Sequence, residues 1–215
     1  MIGPFQAAGG EGRRFYYVMK RLLDVILSGL SMLVLLPVGC ACALAVLLTS
    51  RGPVIYKAQR MGKNGRPFPL YKFRSMIVGA PDWRNSDGSA FTSDRDPRVT
   101  PVGRFLRQTS LDELPQLWNV LRGDMSLVGP RPDQVDQIRY YTEAEKVKLA
   151  VKPGITGLAQ ISGRNSIAWE TRKVLDAEYV KRQSFLLDLV ILCKTIPYIL
   201  KREGVNSPAA TNQEV

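Results

Sequence analysis

The chain has 215 residues, enough for one sizeable domain or for one domain and a membrane anchor. Its 30 lysines and arginines against 19 aspartates and glutamates give a formal net charge of +11, which favours an anionic partner: nucleic acid, an anionic membrane surface or a phosphorylated substrate. The sequence contains no histidine, so mechanisms that need an imidazole base or metal ligand are excluded. Its three cysteines lie in apolar runs without a CxxC pair, which argues against a zinc site and a disulfide framework.

The first apolar segment, residues 22–48, is long enough to enter a membrane. It contains one charge, Asp24, and exceeds the roughly 20 apolar residues that a span requires. Pro37 lies near its middle and is expected to bend or break the helix, because proline removes a backbone hydrogen bond. Both flanks are basic, which favours keeping both on the cytoplasmic side. We therefore favour a re-entrant helix bent at Pro37; a kinked helix that spans the membrane once is the alternative.

The middle of the chain predicts short elements joined by polar loops. Residues 52–76 are expected to form two short strands around a turn at 62–65, because β-rich runs flank the turn residues. Residues 79–101 are polar and rich in Gly, Ser, Asp and Pro, which is typical of a long loop. A short helix is predicted at 115–121, with Gly123 ending it.

The last third of the chain predicts more helix. Helices are expected at 142–151, carrying exposed charge, and at 168–182, around a glycine-punctuated loop and strand at 153–163. Residues 184–202 are strongly apolar but carry two internal charges and a proline. They could form a second span, although a helix in the headgroup layer or packed on the first segment suits the charges better. The tail after Gly204 is expected to be disordered.

Asp112 and Glu113 form an adjacent acid pair at the start of an apolar run. One interpretation is a capping box, in which Ser110 caps a helix and Glu113 bonds back to it. Pro115 argues against this, because it would fall inside that helix and clash with the preceding turn. If the helix begins after the pair, the carboxylates lie just outside an N-terminus that attracts phosphate. Two adjacent carboxylates need a cation or a proton, and Mg²⁺ suits hard oxygen ligands beside phosphate.

Arg131 lies between two prolines, which hold its backbone extended. It is either part of an ordinary surface turn or a pre-positioned fork for a diphosphate. Further cations and one amide accompany it in polar motifs: Lys72, Arg74, Arg104, Arg107, Arg164 and Asn165. Each alone is commonly a solvated charge, but together they exceed what a fold needs. Nucleic acid is disfavoured as the partner, because the basic residues form no stripe, arm or known module.

Three longer motifs carry a resemblance to a known family. They read YKFRSM at 71–76, VGRFLRQTSLDELPQLWNVLRGDMSLVGPRP at 102–132 and VKPGITGLAQISGRNSIAWE at 151–170. With these motifs the chain resembles the bacterial sugar transferase family of monotopic phosphoglycosyl transferases over residues 20–204. Its shortness implies the minimal form, without the additional N-terminal spans of larger relatives.

The resemblance implies an α+β, mostly α fold: a membrane-associated globular domain with an N-terminal re-entrant, proline-bent helix and interfacial amphipathic helices. The chain would divide into an N-terminal tail (1–19), a re-entrant membrane helix (20–50), a cytoplasmic catalytic domain (51–204) and a disordered tail (205–215). The protein would be monotopic, on the cytoplasmic face of a bacterial inner membrane and in contact with membrane lipids.

The resemblance also implies an activity and its residues. The protein would move a sugar 1-phosphate from a UDP-sugar to undecaprenyl phosphate and release UMP, the first membrane step of glycoconjugate assembly, before downstream glycosyltransferases act. Asp112 would be the nucleophile of a ping-pong mechanism, and Asp112 and Glu113 would hold Mg²⁺. The segment GRNSIAWE is most similar to small members that handle bacillosamine-type sugars, which implies an N-acetylated hexose. The substrate site would be lined by Lys72, Arg74, Arg107, Arg131, Arg164, Asn165 and Asp176.

One departure from the family pattern concerns the membrane helix. In relatives with a re-entrant helix a serine precedes the breaking proline, whereas Leu36 does so here, and Ser28 and Ser31 are the nearest preceding hydroxyls. Two other functions compete with the transferase: a membrane-tethered, non-catalytic scaffold that binds lipid phosphate, and a lipid-phosphate enzyme of the CDP-alcohol type. The intact acid pair and arginine set favour the transferase, and the spaced aspartate motif of the CDP-alcohol enzymes is absent.

Overall fold

The computed structural model describes residues 11–93 and 95–201. The fold is mixed α+β and mostly helical, as the sequence predicts. The α-helices are α1 (Glu11–Val34), α2 (Leu36–Thr49), α3 (Pro101–Gln108), α4 (Gln116–Arg122), α5 (Leu158–Ile161), α6 (Trp169–Arg182) and α7 (Phe185–Lys201). The strands are β1 (Ile55–Met61), β2 (Pro67–Phe73), β3 (Ser126–Val128) and β4 (Gly154–Thr156). Short 3₁₀ turns cover Lys63–Gly65, Leu111–Glu113, Val135–Tyr140, Glu145–Ala150 and Arg164–Ser166.

Helices α1 and α2 form a bent pair with an angle of 62° between them. No single helix in the described ranges is long and apolar enough to cross a membrane, but this pair meets both requirements together. The bend was expected at Pro37, but the helix breaks earlier, at Leu35, which has φ −90° and ψ 3°. Pro37 lies in the first turn of α2, where a missing N–H costs nothing because no intrahelical acceptor exists for it. The hydroxyl of Ser28 has no hydrogen-bond partner among the described residues, so it does not satisfy the break.

Helix α1 begins at Glu11, within the segment expected to be a tail, and polar contacts hold it against the domain. Lys20 pairs with Asp188 of α7 at 2.6 Å, and Asp24 accepts a 3.0 Å hydrogen bond from the backbone N–H of Leu127. Arg21 donates to the carbonyl groups of Val120 and Leu121 in the last turn of α4. The opposite side of α1 exposes large apolar side chains: Leu22, Ile26, Leu30, Leu33 and Val34.

Two small sheets organise the rest of the domain. Strands β1 and β2 pair antiparallel around the Lys63–Gly65 turn, which confirms the predicted hairpin. Strands β3 and β4 pair in parallel, with β4 inside the predicted loop and strand at 153–163. The buried side chain of Asn119 joins the hairpin to α4: it accepts from the N–H of Tyr71 at 3.0 Å and donates to the carbonyl of Pro69 at 2.8 Å.

Apolar clusters connect these parts. Tyr179 and Ile191 are fully buried between α6, α7 and β3. A second cluster places Val46 of α2 against Phe73 and Leu106, so the second half of the bent pair packs directly on the hairpin and α3. Burial of such side chains is the main stabilising term at these contacts.

Several predicted elements are confirmed. Helix α6 reproduces 168–182 within a residue, and α4 reproduces 115–121 with the same tolerance. Gly123 ends α4 at φ 92°, a left-handed conformation that favours glycine. The described residues of 79–100 contain only bends, turns and isolated bridges, and Pro101, the last residue of the predicted loop, begins α3. The end of the apolar segment 184–202 lies beyond Lys201, where the description stops. The tail predicted after Gly204 lies outside the described residues.

The predicted helix at 142–151 is wrong in type and in exposure. The chain forms a 3₁₀ turn over Glu145–Ala150, and the side chains of Glu145 and Lys148 are buried. Lys148 turns inward because two carboxylates, Asp133 at 2.8 Å and Asp176 at 2.7 Å, bind its ammonium group. A charge pattern that looked solvent-facing therefore belongs to a buried ion network.

Candidate active site

The acid pair lies in the 3₁₀ turn Leu111–Glu113, between α3 and the start of α4. Ser110, which precedes the turn, has φ 58° and makes no side-chain capping bond, so the capping-box interpretation is wrong. The pair lies just before the first turn of α4, as the position of Pro115 indicated. Asp112 is 7% and Glu113 9% exposed, which is low for carboxylates.

The pair opens into a cleft of about 980 Å³, at the upper end of the sizes common for small-molecule sites. The β1–β2 hairpin forms one side of the cleft and the 79–93 segment forms another. The segment from α5 to α6 closes it from behind. Every residue predicted to bind substrate borders this cleft: Lys72, Arg74, Arg107, Arg131, Arg164, Asn165 and Asp176.

Glu113 is neutralised by two cations. Lys72 Nζ lies 2.7 Å and Arg131 Nη2 lies 3.0 Å from the same oxygen, Oε1. Burial disfavours the charged form of Glu113, but Lys72 and Arg131 outweigh it and hold the pKa of this carboxyl well below its usual range. Glu113 in turn raises the pKa of Arg131. Glu113 and Arg131 therefore favour each other's charged form, and Lys72 completes this ion-pair cluster.

Asp112 stands in a different electrostatic environment. The only cation within 4.0 Å of its carboxylate among the described residues is Lys72, whose Nζ lies at that limit from Oδ2. Burial raises the pKa of Asp112, and Lys72 opposes this only in part. Two neighbouring carboxyls whose pKa values are pushed apart divide into different chemical roles. Asp112 is the carboxyl left available for reaction, whereas Glu113 is tied to its cations.

A buried network of Asp133, Lys148 and Asp176 holds the backbone of Arg131 in place. Its backbone N–H donates to Asp176 Oδ1 at 3.4 Å, and Asp176 shares Lys148 with Asp133. Burial opposes the charge on Lys148, yet the two carboxylates raise its pKa well above the ordinary value. Asp176 therefore contributes by fixing the backbone that carries Arg131.

Arg164 and Arg107 are held by serines at the rim of the acid pair. Arg164 Nη2 donates to Ser110 Oγ at 3.0 Å, and Arg107 Nε donates to Ser75 Oγ at 2.8 Å. Helix α3 approaches Ser75 so closely that a Cβ on Gly103 would lie 2.0 Å from its carbonyl oxygen. Only glycine permits this approach, which brings Arg107 to the cleft.

Arg74 and Asn165 border the cleft but are engaged elsewhere. The guanidinium of Arg74 donates to the carbonyls of residues 50, 51, 52 and 53, the connection between α2 and β1. Arg74 is 5% exposed, so its geometry is that of a structural tie between the bent helix pair and the hairpin. Asn165 Oδ1 accepts from Arg172 Nη1 at 2.9 Å.

The acid pair supplies two carboxylates as potential ligands for a metal ion. No group of three or more His, Cys, Asp or Glu side chains in the described ranges could form a metal site. Mg²⁺, however, is commonly held by one or two carboxylates together with substrate phosphates and water. Lys72 and Arg131 share Oε1 of Glu113, which leaves Oε2 and the Asp112 carboxylate to face a cation. The donor set fits Mg²⁺ bound with a phosphate substrate, and this site stays a prediction.

Two cleft residues were missed by sequence reasoning. Gln160 of α5 is 6% exposed, and neither polar atom of its side chain has a partner among the described residues. Arg172 of α6 has a buried, unpartnered Nε beside the cleft. Nothing in the local pattern marks either residue, because an amide or an arginine in a helix is ordinarily solvated.

A buried acid pair lies beside arginine and lysine side chains in a broad cleft, and a bent apolar helix pair belongs to the same fold. These features are typical of a membrane-associated enzyme that acts on phosphorylated substrates, and comparison with known proteins gives the family. The chain belongs to the bacterial sugar transferase family, whose model matches residues 15–202, and the resemblance is thereby confirmed.

Individual relatives refine this assignment. The chain is 43% identical over 197 residues to the undecaprenyl-phosphate galactose phosphotransferase of Salmonella typhimurium, covering 86% of this chain and 41% of that protein. It is 46% identical over 193 residues to the uncharacterized sugar transferase EpsL of Bacillus subtilis, covering 87% and 90%. It is 44% identical over 187 residues to the UDP-glucose:undecaprenyl-phosphate glucose-1-phosphate transferase of Escherichia coli, covering 83% and 39%. The chain thus spans less than half of the Salmonella and Escherichia proteins and most of the Bacillus protein.

Proposed function

We propose that this protein transfers a sugar 1-phosphate from a UDP-sugar to undecaprenyl phosphate and releases UMP. The observation that carries the proposal is the buried carboxyl of Asp112, with a raised pKa, beside the neutralised Glu113 in a cation-lined cleft. The names of the Salmonella and Escherichia relatives, which specify transfer of a sugar phosphate to undecaprenyl phosphate, support the same reaction class.

In the first step, the ionised Asp112 attacks the β-phosphorus of the UDP-sugar. The bond from that phosphorus to the bridging oxygen breaks, UMP leaves with the electron pair, and a phosphosugar–aspartyl mixed anhydride (an acyl phosphate) remains. Lys72, Arg131 and Arg164 border the cleft that contains Asp112 and would balance the negative charge on the transferred phosphoryl group.

In the second step, a phosphate oxygen of undecaprenyl phosphate attacks the same phosphorus. The bond between phosphorus and the Asp112 oxygen breaks, the carboxylate is restored, and the lipid carries the sugar through a diphosphate. Two displacements through one covalent intermediate give ping-pong kinetics.

We further propose that Asp112 and Glu113 hold Mg²⁺ together with the substrate phosphates. The bound ion would neutralise charge on the phosphate oxygens. Chelation is therefore expected to abolish UMP release, and added Mg²⁺ to restore it.

The bent helix pair supports a membrane-bound, monotopic arrangement, which we propose for the cytoplasmic face of a bacterial inner membrane. Exposed apolar side chains of α1, α2 and α7 would enter the lipid. Phe105 of α3 and Trp118 of α4, each about half exposed, would lie at the interface, where aromatic side chains are favoured. The net charge of +11 would attract the anionic leaflet.

The identity of the sugar is the most specific statement in the proposal. The GRNSIAWE segment favours an N-acetylated, bacillosamine-like hexose, whereas the named relatives act on galactose and glucose. We propose an N-acetylated donor. If only UDP-galactose or UDP-glucose yields UMP, the donor is a galactose or glucose nucleotide, as the names of the relatives indicate, and the N-acetylated donor is wrong.

The experiment that tests the reaction measures UMP release by purified protein with undecaprenyl phosphate, Mg²⁺ and a panel of UDP-sugars. The wild type should release UMP with at least one donor, and Asp112→Asn should release none above a protein-free blank. Glu178→Gln, which changes an exposed carboxylate on the outer side of α6, is the matched control and should retain activity. If Asp112→Asn matches the wild type, or if no donor yields UMP, the transferase proposal fails and the scaffold alternative remains.

A further inference from the structure

A second cavity, of about 180 Å³, connects the bend of the helix pair with the active site. Its outer part is bordered by Leu35 at the bend and by Ile199 of α7, and its inner part reaches Glu113 and Arg164. The wall between them is mainly apolar and includes Leu114, Leu117, Ile155 and Ile161. This side cavity therefore runs from an apolar surface to Arg164 and Glu113 in the active site.

Gln160 lies in the wall that the side cavity shares with the large cleft. Its amide is buried, and neither its nitrogen nor its oxygen has a hydrogen-bond partner among the described residues. A buried amide without partners lowers the stability of a fold, so such a residue needs an explanation. A ligand that supplies the missing partner provides one.

We propose that the side cavity binds the phosphate-proximal part of the acceptor lipid tail and that Gln160 donates a hydrogen bond to the acceptor phosphate. This inference rests on the proposed function, because it assigns a place to its second substrate. An apolar cavity of about 150 Å³ accommodates a benzene-sized ligand, so 180 Å³ has room for a short branched hydrocarbon segment.

The position of the two ends supports this occupant over others. At the outer end, α1, α2 and α7 expose large apolar side chains, which a lipid tail could contact where it leaves the cavity; Ser31, Thr195 and Tyr198 are the polar side chains that also line the cavity from α1 and α7. At the inner end, Arg164 adds a positive charge where the phosphate head would lie. A sugar or nucleotide would leave hydroxyl and base polar groups unpaired against the apolar wall, which is unfavourable.

The proposed contact acts in the second step only. The acceptor phosphate oxygen forms its bond to the phosphorus of the intermediate while the bond from that phosphorus to the Asp112 oxygen breaks. Gln160 would hold the acceptor phosphate in line, and its amide would touch no part of the UDP leaving group. Donor chemistry and acceptor chemistry should therefore respond differently to a change at this residue.

The test uses the purified full chain and Gln160→Met, which keeps side-chain length and removes the hydrogen-bonding amide. Donor alone should give the same burst of UMP and the same adduct on Asp112 as the wild type. Transfer from the preformed adduct to undecaprenyl phosphate should slow by roughly tenfold or more, as expected for a lost hydrogen bond to a charged group. The melting temperature should stay equal or rise, because an unpartnered buried amide is removed.

A second pair of variants tests the tail. Ile199→Phe fills the outer part of the side cavity and should raise the KM for undecaprenyl phosphate at least about tenfold, because the larger side chain takes the space that the tail would occupy. Leu200→Phe adds the same bulk on an exposed neighbour that does not border the cavity, and should leave the KM unchanged.

The possible outcomes distinguish failure of the proposed transferase function from failure of the proposed acceptor site. If wild-type protein releases no UMP, the proposed function itself fails, and this inference with it. If the wild type is active but Gln160→Met transfers to the lipid normally, or slows the UMP burst and the transfer equally, the acceptor role of Gln160 is overturned. Equal KM values for Ile199→Phe and Leu200→Phe would overturn the tail site.

Discussion

Ser110 and Arg164 both adopt left-handed backbone conformations, with φ of 58° and 52°, and Arg164 Nη2 donates a 3.0 Å hydrogen bond to Ser110 Oγ. The two residues are 54 positions apart in the chain and meet beside the acid pair. Left-handed non-glycine residues are strained and cluster at functional sites. The surrounding fold therefore maintains unfavourable backbone on both sides of the carboxylates, which fixes the turn that carries Asp112 and Glu113.

The strain at Ser110 leads to a prediction on stability. Ser110→Gly and Ser110→Ala both lose the hydroxyl that binds Arg164, but only glycine adopts a left-handed conformation without a Cβ clash. We expect Ser110→Gly to have a free energy of unfolding about 1 kcal/mol higher than Ser110→Ala, after allowance for the greater chain entropy of glycine. Urea denaturation of the two variants measures the difference. Equal stabilities would show that the left-handed turn is not strained.

Lys72 should control the pH dependence of the first step. Asp112 must be ionised to attack, and burial raises its pKa while Lys72 lowers it. Activity should therefore fall as the pH drops through this raised pKa. In Lys72→Gln the opposing cation is absent, so the acidic limb of the UMP-release profile should move to higher pH. Lys181→Gln, on the exposed side of α6, is the control. An acidic limb that stays in place, or moves to lower pH, contradicts the assignment of Asp112.

Arg74 should act on stability and not on donor binding. Arg74→Lys leaves one nitrogen for the carbonyls of residues 50–53 that the guanidinium now holds. We expect a loss of about 2 kcal/mol, seen as a melting temperature lower by roughly 4–8 °C. The KM for the UDP-sugar should remain within about twofold, a change too small for a lost ionic contact. Arg66→Lys, exposed at the hairpin, serves for comparison; a large rise in donor KM for Arg74→Lys alone would restore its predicted role in substrate binding.

Replacing Asn119 with aspartate should destabilise the fold. Asn119→Asp removes the donor to the Pro69 carbonyl and places a carboxylate at a fully buried position. We expect a loss of about 3 kcal/mol at neutral pH. The buried carboxyl would have a raised pKa, so the penalty should be complete above that pKa and disappear below the ordinary value near 4. Melting temperatures across pH, with the exposed hairpin change Asn64→Asp as control, measure this; a pH-independent loss would contradict it.

The bent pair predicts that both of its flanks lie on one side of the membrane. In a chain without its native cysteines, Arg14→Cys and Arg66→Cys should both resist an impermeant thiol reagent added to intact cells. Both positions are exposed and should react after the cells are broken, which controls for accessibility. Labelling of Arg14→Cys but not Arg66→Cys in intact cells would establish a spanning helix instead.

Some features were predictable from the sequence because they depend on neighbouring residues alone. The apolar segment with its proline predicts a broken helix, and Gly123 predicts the end of α4 through its conformational freedom. The acid pair and Arg131 were identified by charge and by local backbone restriction. The helix at 101–108 was not predicted, although Thr100 as N-cap and Pro101 in the first turn are local start signals. The close packing of Gly103 on Ser75 is visible only in the folded chain.

Only the tertiary structure decided which charges serve the site. Arg74 and Lys148 carry the same formal charge as Lys72, but distant carbonyls and carboxylates bind them, and no local pattern reveals those partners. The unpartnered amide of Gln160 likewise follows from packing between segments far apart in the chain. Local sequence fixes backbone preferences and the inventory of charges; burial and partner choice are properties of the folded chain, because the energy of a charge depends on what surrounds it.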